Sequence, residues 1–237
     1  MDRGVGDPRR GHPVAGFGTA AMELENITYR DNRSAGVVHE IALVGGVVVV
    51  GAAARRVIRA GSSAGASSAM AWGGRRDRRG ASGRGGMRGR GALVRGLCEI
   101  ALTAAATWTV LGGTTLARTG REMADLLEAG DIAAARDLLP ALCGRDPSLL
   151  DADGLARAAL ESIAENTSDA TVAPLFWGAL AGVPGLLGYR AVNTLDAMVG
   201  YRNERYHRFG WAAARTDDVA NLGPARVAGL ITTALAP

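Results

Sequence analysis

The stretch Leu160–Trp177, LESIAENTSDATVAPLFW, decides how the rest of the chain is read. It begins as a polar helical segment and ends as an apolar one. Glu161, Glu165 and Asp169 stand at i, i+4 and i+8, a spacing that stacks three carboxylates along one helical face. Like charges four apart repel by about 0.2–0.5 kcal/mol per pair, and a solvated helix would mix the signs. Arg157, one turn earlier, offsets only part of the charge. The stack implies a cation, or a cationic substrate group, held against it. A structural ion network is the competing reading of the same residues.

Downstream, residues 170–189 carry no charge over a length that suits a spanning helix. Pro174, Pro184 and the glycines around them argue against one straight helix, and a broken or re-entrant hairpin is expected. On the next helical segment Asn193 and Asp196 lie one turn apart, with Arg190 a turn before and Val192, Leu195 and Val199 on the other face. A second acidic group follows: Asp217 and Asp218, with Asn221 a turn later and Arg215 and Arg226 on either side. Such arginines grip phosphate in a fork geometry. Val227 to Pro237 begins a further apolar helix.

Upstream, residues 118–150 form an amphipathic helical pair broken at Gly130, with Asp131 as N-cap and a turn at Gly144–Pro147. Asp151 or Asp153 caps the acidic helix. Two apolar stretches precede this pair. Residues 41–54 are uncharged but span only about 21 Å as a helix, so a membrane span competes with a buried segment of a soluble core. Residues 96–117 form a second span, with Glu99 as its one charge. Between them, residues 59–92 are rich in Gly, Ser and Arg and read as a disordered linker. Residues 17–29 read as a short helix.

The formal charge of +4 is uneven. Eleven arginines and one acid, Asp77, fall between Arg55 and Arg95, and elsewhere acids outnumber bases. Without interleaved aromatics beyond Trp72, this basic run gives little support to nucleic-acid binding. Cys98 and Cys143 are far apart, with no metal-type spacing; Cys98 is expected to be buried. The sequence has no GxxxxGK[ST], GxSxG, HExxH or GxGxxG signature. The fold class expected is all-α, a multi-pass integral membrane protein with amphipathic helices beside the bilayer. Its segments are residues 1–58 with the first span, the 59–92 linker, and 93–237 with the remaining spans and the acidic helices.

The motifs ESIAENTSD, APLFW, NTLDAMVGYR (193–202) and FGWAAARTDDVANLGPAR (209–226), with a weaker GDPRRGHPV at 6–14, resemble the CobD/CbiB family of cobalamin biosynthesis. Ala170-Thr171, Ala197 and Gly223 depart from that pattern without removing a charged group. The resemblance implies a cell-membrane enzyme that joins a corrinoid carboxylate to (R)-1-aminopropan-2-ol or its phosphate, with ATP as cosubstrate and Mg²⁺. It assigns catalysis to Glu161, Glu165, Asp169 and Asp217. Substrate contact falls to His12, Asn166, Asn193, Asp196, Arg215, Asn221 and Arg226, and metal to Glu165, Asp169, Asp217 and Asp218. The family pattern extends beyond both ends of this sequence, so an incomplete site is one rival expectation and a membrane transporter another. If 41–54 and 96–117 both span, the Arg-rich loop and the acidic helix fall on opposite sides. The positive-inside tendency claims the cytoplasm for the loop and ATP chemistry claims it for the helix, which is the side expected here.

Overall fold

The computed structural model describes residues 13–68, 83–111 and 114–235, with side chains described except at 61–68, 83–90 and 114–115. All regular structure among the described residues is helical. The first three helices are α1 (Pro13–Thr28), α2 (Arg33–Ser68) and α3 (Gly83–Val110). A peripheral group follows: α4 (Thr114–Glu128), α5 (Ile132–Leu138) and α6 (Ala152–Thr167). The remainder are α7 (Ala173–Ala181), α8 (Val183–Val199), the short α9 (Tyr206–Phe209) and α10 (Trp211–Leu235).

Helix α8 is the hub, with α2, α3, α7 and α10 packed on it. Gly188 lies against Val48, Gly51 against Pro184, and Arg55 reaches the Ala181 carbonyl at 3.2 Å, so α2 and α8 run antiparallel. At the far end, Leu195, Val199 and Phe209 bury against Ala35, Leu43 and Val44. There Gly36 touches the Phe209 carbonyl, and a Cβ would collide with it. Glu25, buried on α1, takes Arg205 at 2.8 Å and the Tyr206 hydroxyl at 3.1 Å, which ties α1 to α9. Helices α4, α5 and α6 bury a separate cluster of Met123, Ala135, Leu139, Leu155 and Ala158. Asp131 and Asp151 cap α5 and α6 as their positions require.

Arg33–Ala60 and Gly91–Val110 are apolar and long enough to cross a membrane. They measure about 42 and about 30 Å, against a hydrocarbon core of about 30 Å. Val49, Val50 and Val57 on α2, with Leu97, Ile100 and Trp108 on α3, face outward and exposed. Such a sleeve suits an apolar surrounding.

Several expectations are corrected. The second apolar span lies at 91–110 rather than 96–117, because α3 ends at Val110, just before Gly112 and Gly113, the poorest helix formers nearby. Glu99 is therefore central to the span and meets Arg59 at 3.2 Å. Cys98 is exposed on α3 rather than buried. Helix extends into both ends of the expected linker, to Ser68 and from Gly83. No third helix among the described residues passes the same test of length and composition. The uncharged run 170–189 is broken, as its prolines and glycines lead one to expect: it folds into the helical hairpin of α7 and α8, turning at Gly182 with φ 68°. That conformation suits glycine, and a Cβ there would sit 2.6 Å from the Arg55 guanidinium.

No new helix begins at Val227 either. Helix α10 runs from Trp211 to Leu235 with Pro224 inside it. Proline has no N–H to give the carbonyl four residues back, here Ala220. The Trp177 indole N–H fills that place, donating to the Ala220 oxygen at 3.0 Å. The hairpin thus supplies the bond that α10 cannot make for itself.

Candidate functional site

The acidic site forms where the end of α6, the turn after it, α8 and α10 meet. Between α6 and α7 the chain makes a π turn, Ser168–Val172, in which the Ala173 N–H bonds the Ser168 carbonyl. Pro174 gives the cause: it has no N–H for the carbonyl of residue 170, and its ring crowds that oxygen. Widened turns of this kind recur at functional sites. This one carries Asp169 against α8 and α10.

Asn193 and Asp196 project from α8, and Asp217 and Asn221 from α10. Asn221 Nδ2 donates to Asp217 Oδ2 at 3.0 Å, and Asn193 Nδ2 lies 3.5 Å from Asp217 Oδ1. The Tyr189 hydroxyl sits 2.8 Å from Asn221 Oδ1 and 3.5 Å from Asp169 Oδ1. Burial pushes the Asp169 carboxyl up to about 6, and Asp217 and Glu165 add to the effect. Asp196 is also raised to about 6, by burial first and then by Asp217, Asp218 and Glu165. Asp217 is raised by burial, but the bonds from Asn193 and Asn221 oppose that shift. Five carboxylates, Glu165, Asp169, Asp196, Asp217 and Asp218, therefore feel one another across α6, the π turn, α8 and α10, and a cation would offset their repulsion.

Among the described residues no three His, Cys, Asp or Glu side chains close a cage of protein ligands alone. The donor set of hard carboxylate oxygens still fits Mg²⁺, which takes one or two carboxylates and completes its shell with water and phosphate oxygens.

Of the residues expected from sequence, the structure brings together Glu165, Asp169, Asn193, Asp196, Asp217 and Asn221, with Asp218 at the rim. Glu161 is turned elsewhere: it pairs with Arg145 of the 144–147 turn at 3.0 Å. Asn166 folds back on Ser162, at 2.8 Å to its carbonyl and 3.1 Å to its hydroxyl. Arg215 is exposed and lies 3.6 Å from Asp218, and Arg226 bonds the Leu222 carbonyl of its own helix. His12 lies outside the described residues. Arg190 lines a different cavity, of about 190 Å³, with Phe17, Val47, Thr109 and Leu187.

The sequence profile of the CobD/Cbib protein family matches residues 1–236. The chain belongs to the CobD/Cbib family. It is 52% identical over 237 residues to the "Cobalamin biosynthesis protein CobD" of Mycobacterium tuberculosis, covering 100% of this chain and 64% of that protein. The Geobacter metallireducens protein of the same name is 41% identical over 238 residues, covering 100% and 65%. That of Rhodobacter capsulatus is 39% identical over 232 residues, covering 97% and 63%. The chain thus spans just under two thirds of the length of these relatives. No solved structure matches.

Sequence reasoning missed Tyr189, Ser168 and the Trp177–Ala220 bond. Tyr189 was legible in part, since it stands four residues before Asn193 and seven before Asp196 on one helical face. Ser168, buried in the π turn beside Asp169, carried no such signal.

Proposed function

We propose that this chain carries the amide-forming centre of a membrane-bound cobalamin biosynthesis enzyme. The reaction joins a corrinoid carboxylate to (R)-1-aminopropan-2-ol or its phosphate at the expense of ATP. Family membership supports the pathway. The observation that carries the chemistry is the convergence of Glu165, Asp169, Asp196 and Asp217 from three helices, with two amides on Asp217.

A carboxylate is a poor acylating agent at neutral pH. Its oxygen attacks the γ-phosphorus of ATP, ADP leaves, and an acyl phosphate remains. The amine nitrogen then attacks the acyl carbon and phosphate departs with the bonding pair. Mg²⁺, held by one or two of the carboxylates Glu165, Asp169, Asp217 and Asp218 and completed by water and phosphate oxygens, would neutralise phosphate charge. Asp196, on α8 in the same group, takes the first proton that the amine loses. The residual negative charge holds the amine as its ammonium form; loss of the first proton frees the nitrogen lone pair for attack, and the departing phosphate takes the second. Arg215, exposed at the rim, meets a phosphate or a corrin carboxylate. Helices α2 and α3 set this centre in the cell membrane as part of a multi-pass protein.

The test is a mass measurement on membranes from a host lacking its own synthase, supplied with cobyric acid, aminopropanol phosphate, ATP and Mg²⁺. The expected product has the mass of the amide and requires both ATP and Mg²⁺. A product formed without ATP, or none from well-expressed protein, removes the proposal for this chain.

A further inference from the structure

Tyr189 is 3% exposed, so its hydroxyl depends on the groups buried with it for hydrogen bonds. That hydroxyl has one proton and two acceptors within reach, Asn221 Oδ1 at 2.8 Å and Asp169 Oδ1 at 3.5 Å. The shorter contact takes the proton. Asn221 then has its oxygen committed to Tyr189 and its NH₂ committed to Asp217 Oδ2 at 3.0 Å. Turned the other way, the amide would set its oxygen against the Asp217 carboxylate, acceptor against acceptor. The phenolic proton and the Asp217 charge therefore select the same amide orientation. Asn193 approaches the second Asp217 oxygen from α8. A ring that merely filled the core would not need the hydroxyl, and its neighbours Gly188, Ala191 and Val192 on α8 offer the hydroxyl no hydrogen bond.

We infer that Tyr189 is a positioning residue: it orients the Asn221 amide, which in turn holds Asp217 toward a divalent cation bound at the acidic group. The inference rests on the reading of that group as a cation site. Residues that orient a metal-binding carboxylate cost about 10–100-fold in metal affinity when removed.

The experiment measures Mn²⁺ binding to the full chain in detergent, from the electron paramagnetic resonance signal of the free ion, with no turnover required. The proteins are wild type, Tyr189→Phe, Asn221→Ala and the double variant, each with its melting temperature. The expected result is that Tyr189→Phe weakens Mn²⁺ at least about tenfold. Asn221→Ala does the same, and the double variant is no worse than the weaker single one. Wild-type affinity in Tyr189→Phe overturns the inference, as do losses that multiply in the double variant. In either case the cation site stands. If wild type binds no Mn²⁺, the cation reading fails with it. A low melting temperature in Tyr189→Phe alone, with affinity lost in proportion to unfolded protein, assigns the residue to the core and also overturns the inference.

Discussion

Asp169 and Asp196 hold protons more tightly in the folded chain than carboxylates do in water, with values near 6 against an ordinary 3.8. Between those values the folded chain keeps protons that the unfolded chain has released. The stability these two groups confer is complete below about pH 4 and is lost as pH rises through about 6. In Asp169→Asn and Asp196→Asn, denaturant midpoints measured from pH 4 to pH 8 should fall less with pH than in wild type. A bound divalent cation should flatten the wild-type profile in the same way. Much of this group was legible in sequence, because Asn193 and Asp196, and Asp217 and Asn221, are spaced as neighbours on single helices. What the spacing could not give is which face meets which. Glu161 shares the i, i+4 row with Glu165 on α6, but Arg145 of the 144–147 turn pairs with its carboxylate.

At the scale of elements, the weight falls on two prolines. Pro224 removes the N–H owed to Ala220, and Trp177 replaces it. Trp177→Phe leaves that carbonyl unpaired and should cost about 1–3 kcal/mol in stability. In a Pro224→Ala background, where the N–H at 224 is restored, the same substitution should cost less; a denaturant double-mutant cycle reads the difference. Pro174 imposes the π turn that carries Asp169. Pro174→Ala should let the turn tighten to α, withdraw Asp169 from α8, and lower amide synthesis at least about tenfold with little loss of melting temperature. The prolines and glycines announced breaks in the uncharged run 170–189, and the hairpin at Gly182 follows from them. The continuity of α10 through Pro224 was not readable, since it depends on an indole 43 residues away along the chain.

For the whole molecule, α2 and α3 form the apolar sleeve packed on α8, and Asn193 of α8 meets Asp217 of α10 in the acidic group. Asp196 lies toward the start of α2, while the Arg-rich segment follows its other end. The conflict between the positive-inside tendency and ATP chemistry therefore persists in three dimensions. Labelling of single cysteines placed at Ser34 and at Gly91, in sealed vesicles, would assign the two ends. The helical class and the apolar stretches were legible from composition and periodicity. The hub role of α8 was not, because it arises from pairings between segments more than a hundred residues apart. The most direct measurement compares Asp217→Asn with Glu161→Gln in the same amide-forming assay at equal protein levels. If the acidic group of α6, α8 and α10 is the reacting centre, Asp217→Asn falls at least about a hundredfold, and Glu161→Gln, which loses only an exposed ion pair, stays within about twofold. Equal activity in Asp217→Asn and wild type, or a collapse in Glu161→Gln alone, would place the chemistry elsewhere.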